Sequence, residues 1–432
     1  MKRPAIFDLF NIGFITSSSI IFAGSFVVNV LNYVFTLVVS RILGVEAFGE
    51  VTALSSLLLI VSVPAAALTM LMTRQSAYHN SESKDAVREL FNVLKKNVFL
   101  ASLAFWILFL ATVPFLSHFL QIPLLPLFIF SLLIPTTFAS SLQTGTLQGL
   151  QEFFMLAKQS ILSTIIKLVI SVALVYAGFS VSGVMLGLVL AQLASWGYGY
   201  VATKVLLLTS DTANLPGQAF SLRSVRSLFS TILATTLLLV LLSNVDVLLA
   251  KHYLSADLAG QYGALSTLGK ILVYGVGAFI TVLLPMVSAA HARDQSTVPG
   301  AGRREGDRIL ALSLSIIAGA SVAVFLLFTF FPTFIITLLF GTRYLAITPY
   351  LGIFSIAMAC ISLATAFINY FVAIENTSFI YLLLGGICIE VVLIALHHSS
   401  LSALTMMLVA SSMTLLIFMM LNYAVFCRAQ KV

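Results

Sequence analysis

Apolar runs long enough to cross a hydrocarbon core recur from Ile12 to Cys427, separated by short polar intervals. A spanning helix needs about 20 such residues. The pattern predicts twelve helices, near 12–40, 47–72, 92–116, 122–146, 156–178, 183–206, 224–250, 258–287, 309–331, 346–373, 378–397 and 401–427. Strands of a membrane barrel would alternate apolar and polar residues over about 10 positions, and these runs do not. Backbone groups unpaired in lipid leave the helix as the remaining solution. Pro123, Pro126 and Pro135 predict a bend in the fourth span. Pro64 marks a weak point in the second, and Gly275 and Gly277 in the eighth. The longest polar stretches are about 73–91, 207–223 and 288–308, and the last two have the Gly, Ser, Pro and charge of connectors.

Composition places almost the whole chain inside the bilayer. It is 60% hydrophobic and 9% charged, with a mean hydropathy of +1.09; a soluble domain has about 25% charged residues. The start, MKRPAIFDLF, leads into a long apolar run without a clear cleavage site and predicts a retained first helix. Cys360, Cys388 and Cys427 fall in apolar runs without metal or disulfide spacing, and no cofactor is expected.

The net charge of +7 speaks to topology rather than to nucleic acid. Sorted by loop, seventeen basic residues fall on one side, from Lys2 and Arg3 through Arg74, Lys95, Lys158, Arg223, Arg226 and Arg308 to Arg428 and Lys431. Only Arg41, Lys251 and Arg343 fall on the other. Such a bias predicts that both termini are cytoplasmic.

Residues 49–57, GEVTALSSL, recur as GQYGALSTL at 260–268, an offset of 211. Both copies open the second helix of a six-helix half. QGLQEF (148–153) and AIENTS (373–378) hold the same place, the turn between the fourth and fifth helices of each half, and setting Glu152 against Glu375 puts Lys167 opposite Glu390. Six spans return the chain to its starting side, so the halves share an orientation, as in transporters built from parallel repeats. The predicted organisation is an N-terminal lobe 1–206, a cytoplasmic linker 207–223 and a C-terminal lobe 224–432.

Charges within the spans are the candidate chemistry, because a lysine at mid-bilayer costs about 2.5–3.5 kcal/mol on insertion scales and needs a cavity or a partner. Lys270 stands near the centre of the eighth span, Lys167 of the fifth and Glu390 of the eleventh, with Asp246 toward the outer end of the seventh. Lys270 and Lys167 are expected to bind an anion, and Asp246 and Glu390 to take a coupling ion. The alternatives are a Lys167–Glu390 ion pair and an interfacial Asp246–Lys251 pair. Arg41 and Lys251 could form a basic rim, or simply snorkel at helix ends. Asn29 and Asn32, at i and i+3, share a helix face that suits a sugar or a neighbouring helix, and Gln192 is a further polar candidate. His397 and His398 point to different faces and make a poor metal site. The chain lacks a Gly-Lys-Ser/Thr phosphate loop and a His-Glu-x-x-His motif, so no enzyme activity is expected.

Four segments, SRILGVEAFGEVTALSSLLLIVSVP (40–64), LQGLQEF (147–153), NVDVLLAKHYLSADLAGQYGALSTLGKI (244–271) and FGTRYLAITPYL (340–351), resemble polysaccharide biosynthesis proteins, the lipid-linked oligosaccharide flippases. The resemblance runs over nearly the whole chain. It implies the all-α, twelve-span, V-shaped architecture of the multidrug/oligosaccharidyl-lipid/polysaccharide superfamily, with two six-helix lobes and alternating access. It further implies a polyprenyl-pyrophosphate-linked glycan carried to the outer leaflet of a bacterial or archaeal inner membrane. Proton or sodium would be the coupling ion, with membrane lipid and polysaccharide polymerase machinery as partners and no nucleic acid. A multidrug extruder of the same superfamily would predict an acidic cavity, which the central lysines oppose. A membrane glycan polymerase or acyltransferase would need a catalytic loop that the short outward segments do not supply.

Overall fold

A computed structural model describes residues 12–80, 84–208, 233–296, 301–374 and 376–429; side chains are described for 24–78, 86–207, 233–277, 287, 305–374 and 376–428. Lys2, Arg3, Arg223, Arg226, Lys431, Glu375 and the linker from residue 209 onward lie outside the described residues. Among the described residues all regular structure is helical.

Each predicted span has a counterpart. They are α1 (Ile12–Leu43), α2 (Val45–Val61) with α3 (Val63–Asn80), α4 (Lys84–Leu120), α5 (Leu124–Ser131) with α6 (Leu133–Gly149), α7 (Phe153–Leu174) and α8 (Ser180–Leu208). In the second half they are α9 (Leu233–Leu242) with α10 (Val245–Tyr253), α11 (Ala256–Ser296), α12 (Ala301–Phe330) with the short α13 (Pro332–Leu339), α14 (Leu351–Ala373), α15 (Ser378–Leu396) and α16 (Leu401–Ala429). A 3₁₀ segment, Thr342–Tyr350, leads into α14.

By length and composition, eight stretches of the described residues can cross a membrane, or ten when the two bent pairs each count as one. One of the eight, Phe153–Leu207, is 55 residues long and breaks at Val175–Phe179. There Gly178 (φ 91°) and Ser180 (φ 46°) take left-handed backbone, and α7 and α8 then pack along each other, which makes two passes. The predicted eighth crossing corresponds to α11, 41 residues long.

The breaks have local causes. The second span bends by 44° between Val61 and Val63, one residue before Pro64. In the fourth, Pro123 precedes α5 and the helix is interrupted at Leu132, just ahead of Pro135. By contrast, α11 runs unbroken through Gly275 and Gly277. A bend of 46° separates α9 from α10, and no proline lies there. Ser243 Oγ and Asn244 Nδ2 donate instead to the carbonyls of Leu239 (3.2 Å) and Val240 (2.9 Å), and side-chain bonding of this kind bends helices.

The chain forms two compact units. The first contains residues up to Leu43 together with Leu58–Thr236, and the second contains Gly44–Leu57 together with Leu237–Val432. The N-terminal half of α2 therefore groups with the second unit. In the first unit, α3 packs closely on α6 through Gly145 and Gly149. A Cβ added at Gly145 would lie 2.7 Å from Thr69 O, and one at Gly149 2.6 Å from Thr73 O. That G-x-x-x-G spacing lets two backbones meet.

In the second unit, the two copies of the repeated motif cross each other. A Cβ at Gly49 would come within 2.8 Å of Gly260 Cα, and one at Gly263 would collide with the Thr52 hydroxyl. Both contacts, 49 with 260 and 52 with 263, join residues at the repeat offset of 211.

Candidate functional site

The four charges the sequence singles out at mid-span, Lys167, Lys270, Asp246 and Glu390, fall at two seams, and each seam lies where the first helix of a half meets the fifth. In the first unit these helices are α1 and α7. They run parallel, in tight contact at one end, where a Cβ on Gly24 would lie 2.9 Å from that of Ala157. Two turns farther along α1, Lys167 Nζ donates to Asn32 Oδ1. The ammonium also lies 4.4 Å from the centre of the Phe35 ring, a favourable cation–π placement. An amide oxygen and an aromatic face satisfy hydrogen bonding without cancelling the charge, and Lys167 remains half-buried.

Around the tight end, before Lys167 along the seam, a cleft of about 340 Å³ opens, lined by Gly24, Ser25, Val28 and Asn29 of α1, Gln148 of α6, and Phe153, Leu156, Ala157 and Ser160 of α7. Ser25, Asn29, Gln148 and Ser160 are exposed. Polar side chains exposed inside a span belong against water rather than acyl chains.

The second seam is between α10 and α15. Asp246 and Glu390 are 2% and 1% exposed. Tyr262 OH donates to Asp246 Oδ2 at 2.9 Å. Lys270 Nζ donates to Asn244 Oδ1 at 3.2 Å, and Asp246 and Glu390 both act on it electrostatically. The bend between α9 and α10 makes this arrangement. The amide of Asn244 gives its Nδ2 to Val240 and turns its Oδ1 to the lysine. Asp246 Oδ1 and Glu390 Oε1 are buried without a hydrogen-bond partner among the described residues. Two carboxylates and one ammonium in a dry surrounding leave a surplus of negative charge that a small cation could neutralise.

The seams occupy corresponding places but carry different charge. Lys167 and Glu390, matched by the repeat, each face the first helix of their own half. Their neighbours are Asn32 and Phe35 for the lysine, and Asp246 and Lys270 for the glutamate. The alternative of a Lys167–Glu390 pair therefore gives way to two separate sets of partners. The alternative Asp246–Lys251 pair does so too. Asp246 engages Tyr262 and Lys270, whereas Lys251 is buried, 3% exposed, and under the influence of Glu50 and Glu46.

Lys251 thus has acidic neighbours at hand, and Arg41 stands exposed in the last turn of α1. Gln192 Nε2 donates to Ser140 Oγ and joins α8 to α6, the helix-joining role that interior amides commonly take. His398 stacks on Tyr253 with ring centres 4.2 Å apart, and its Nδ1 lies 2.8 Å from Ala395 O. Sequence reasoning found the charged members of both seams but not Tyr262, Asn244, Phe35, Ser25, Gln148 or Ser160. Their signal, a polar or aromatic residue in an apolar run, is too common to single out.

A comparison with curated proteins by sequence finds no match. Among solved structures, the chain is similar to an inward-facing multidrug resistance MATE family transporter of the MOP superfamily. The TM-score is 0.73 at 14% identity, covering 94% of this chain and 95% of that one. It is similar to the lipid II flippase MurJ in an inward closed conformation, with TM-score 0.64, 13% identity, and coverage of 94% and 87%. It is also similar to a MOP superfamily transporter from Pyrococcus furiosus described by the reverse polarity of its binding pocket, with TM-score 0.60, 16% identity, and coverage of 96% and 95%. At these identities the likeness establishes the fold, an all-α MATE-like membrane architecture. By sequence, residues 14–291 match the family described as polysaccharide biosynthesis protein; this chain belongs to that family.

Proposed function

We propose that this protein is a flippase that carries a polyprenyl-diphosphate-linked oligosaccharide from the cytoplasmic to the outer leaflet of an inner membrane, by alternating access. The family match and the flippase and transporter neighbours support a carrier rather than a catalyst. The observation that carries the choice of cargo is Lys167, half-buried and hydrogen-bonded to the Asn32 amide oxygen beside the Phe35 ring. An amide leaves the ammonium charge available to an anionic headgroup, and lysine holds phosphate well as a point charge. A glycan diphosphate cannot cross hydrocarbon unaided, so such groups would offset the cost of its passage. On this reading both termini are cytoplasmic, and Asp246 with Glu390 takes up the coupling cation, a proton or sodium.

The test is transport in proteoliposomes loaded with a fluorescent polyprenyl-diphosphate glycan. Lys167→Ala is expected to lower the rate at least tenfold at normal protein level, and Lys167→Arg to retain part of it. Normal transport by Lys167→Ala would remove the lysine from the site. A second reading, a cation-coupled multidrug carrier, is favoured by the unpartnered oxygens of Asp246 and Glu390. Uptake of an organic cation by the same proteoliposomes, with no movement of the glycan lipid, would select it.

A further inference from the structure

The cleft between α1 and α7 differs from the rest of the polar interior in carrying no charge. Its polar groups are two hydroxyls, Ser25 and Ser160, and two carboxamides, Asn29 and Gln148, and Phe153 forms part of the wall. Gln148 Oε1 lies 3.2 Å from Thr73 Oγ1, at the edge of the same cleft. Neutral donors and acceptors beside an aromatic ring recognise a polyhydroxylated, uncharged molecule, because each hydroxyl both gives and takes a hydrogen bond.

The position of Lys167 adds a second constraint. On α7, Ser160 and Lys167 are seven residues apart, two turns along one face and about 10 Å at 1.5 Å per residue. On α1, Asn29 and Asn32 are one turn apart on the same face, and Asn32 receives the lysine. The seam therefore presents, in order, an uncharged hydrogen-bonding cleft and then an ammonium group. That is the order of groups in a sugar joined to a diphosphate.

We propose that this cleft is a subsite for the sugar residue nearest the diphosphate, recognised as a neutral hexose or N-acetylhexosamine by Asn29, Gln148, Ser25 and Ser160 while Lys167 takes the phosphate. The proposal rests on the flippase reading and adds to it a place and a chemistry for the glycan. It makes the first unit the part of the protein that distinguishes a glycosylated carrier lipid from the bare one. Asn29, Gln148 and Ser160, which carry the test of sugar recognition, are exposed, so changing them does not put the fold at stake.

The experiment is lipid binding to the full-length protein in nanodiscs, read by native mass spectrometry. The probes are a polyprenyl diphosphate and the same lipid bearing one N-acetylglucosamine, glucose or galactose. Wild-type protein is expected to prefer at least one glycosylated lipid over the bare lipid by about tenfold, the scale of one or two hydrogen bonds. Asn29→Ala with Ser160→Ala, and separately Gln148→Ala, should abolish that preference while leaving affinity for the bare lipid unchanged. Lys167→Ala should weaken all the lipids alike. Equal wild-type affinity for bare and glycosylated lipids, or a preference that survives in the variants, would overturn the subsite. Failure of every lipid to bind the wild-type protein would overturn the flippase reading itself and the subsite with it.

Discussion

At the scale of single residues, the interior charges are held by groups far away in sequence. Tyr262 is fully buried and supplies a hydrogen bond to Asp246, whose other oxygen has no partner among the described residues. Tyr262→Phe would take a hydroxyl donor away from a buried carboxylate, a loss of roughly 1–3 kcal/mol. The expected outcome is a lower midpoint of thermal unfolding in detergent, whereas Tyr274→Phe, at a tyrosine 60% exposed, should leave it nearly unchanged. Equal midpoints for the two variants would remove Tyr262 from the support of Asp246. The charges themselves were legible in the sequence, because an ionised group in an apolar run stands out. Their partners were not. Nothing in the spacing of Asn32 and Lys167, 135 residues apart, announces that they meet.

At the scale of helices, close approach is set by glycines at particular positions rather than by glycine content. A Cβ at Gly260 would collide with the backbone carbonyl of Val45, while one at Gly275 would meet nothing within 4 Å. Gly260→Ala is therefore expected to sharply reduce the yield of folded protein, and Gly275→Ala to be tolerated, as measured by monodisperse recovery on size-exclusion chromatography. Equal recovery would mean that α2 and α11 separate at low cost. The number of helices and the proline-associated breaks could be read from the sequence, since both follow from local patterns. The bend at Ser243–Asn244 could not, because Ser and Asn are common in membrane helices and only their side-chain bonds to Leu239 and Val240 show their effect. The same holds for G-T-L-Q-G at 145–149, a recognisable spacing whose importance emerges from the backbone of α3 lying against it.

At the scale of the whole molecule, the distribution of basic residues fixes an expected topology, with the turn at Gln151 cytoplasmic and the turn at Ser399 outside. Alkaline phosphatase, active only after export, should be active when fused after Ser399 and inactive when fused after Gln151; the reverse result would invert the orientation. The sequence repeat leads to an expectation of two halves divided at the linker 207–223, most of which lies outside the described residues. Gly44–Leu57 associates with the second half, and composition cannot reveal where a helix end is lodged. The meeting of Gly49 with Gly260, and of Thr52 with Gly263, has a consequence for how such a chain can change. Where a position touches its own duplicate, an ancestral half-length protein would have had to fit a copy of itself at that face, as in a symmetric homodimer. Two copies joined in one chain would be free to differ elsewhere, as the seam of Lys167 differs from that of Asp246, Glu390 and Lys270. At this crossing any added bulk on one strand of the history must be matched by a loss on the other.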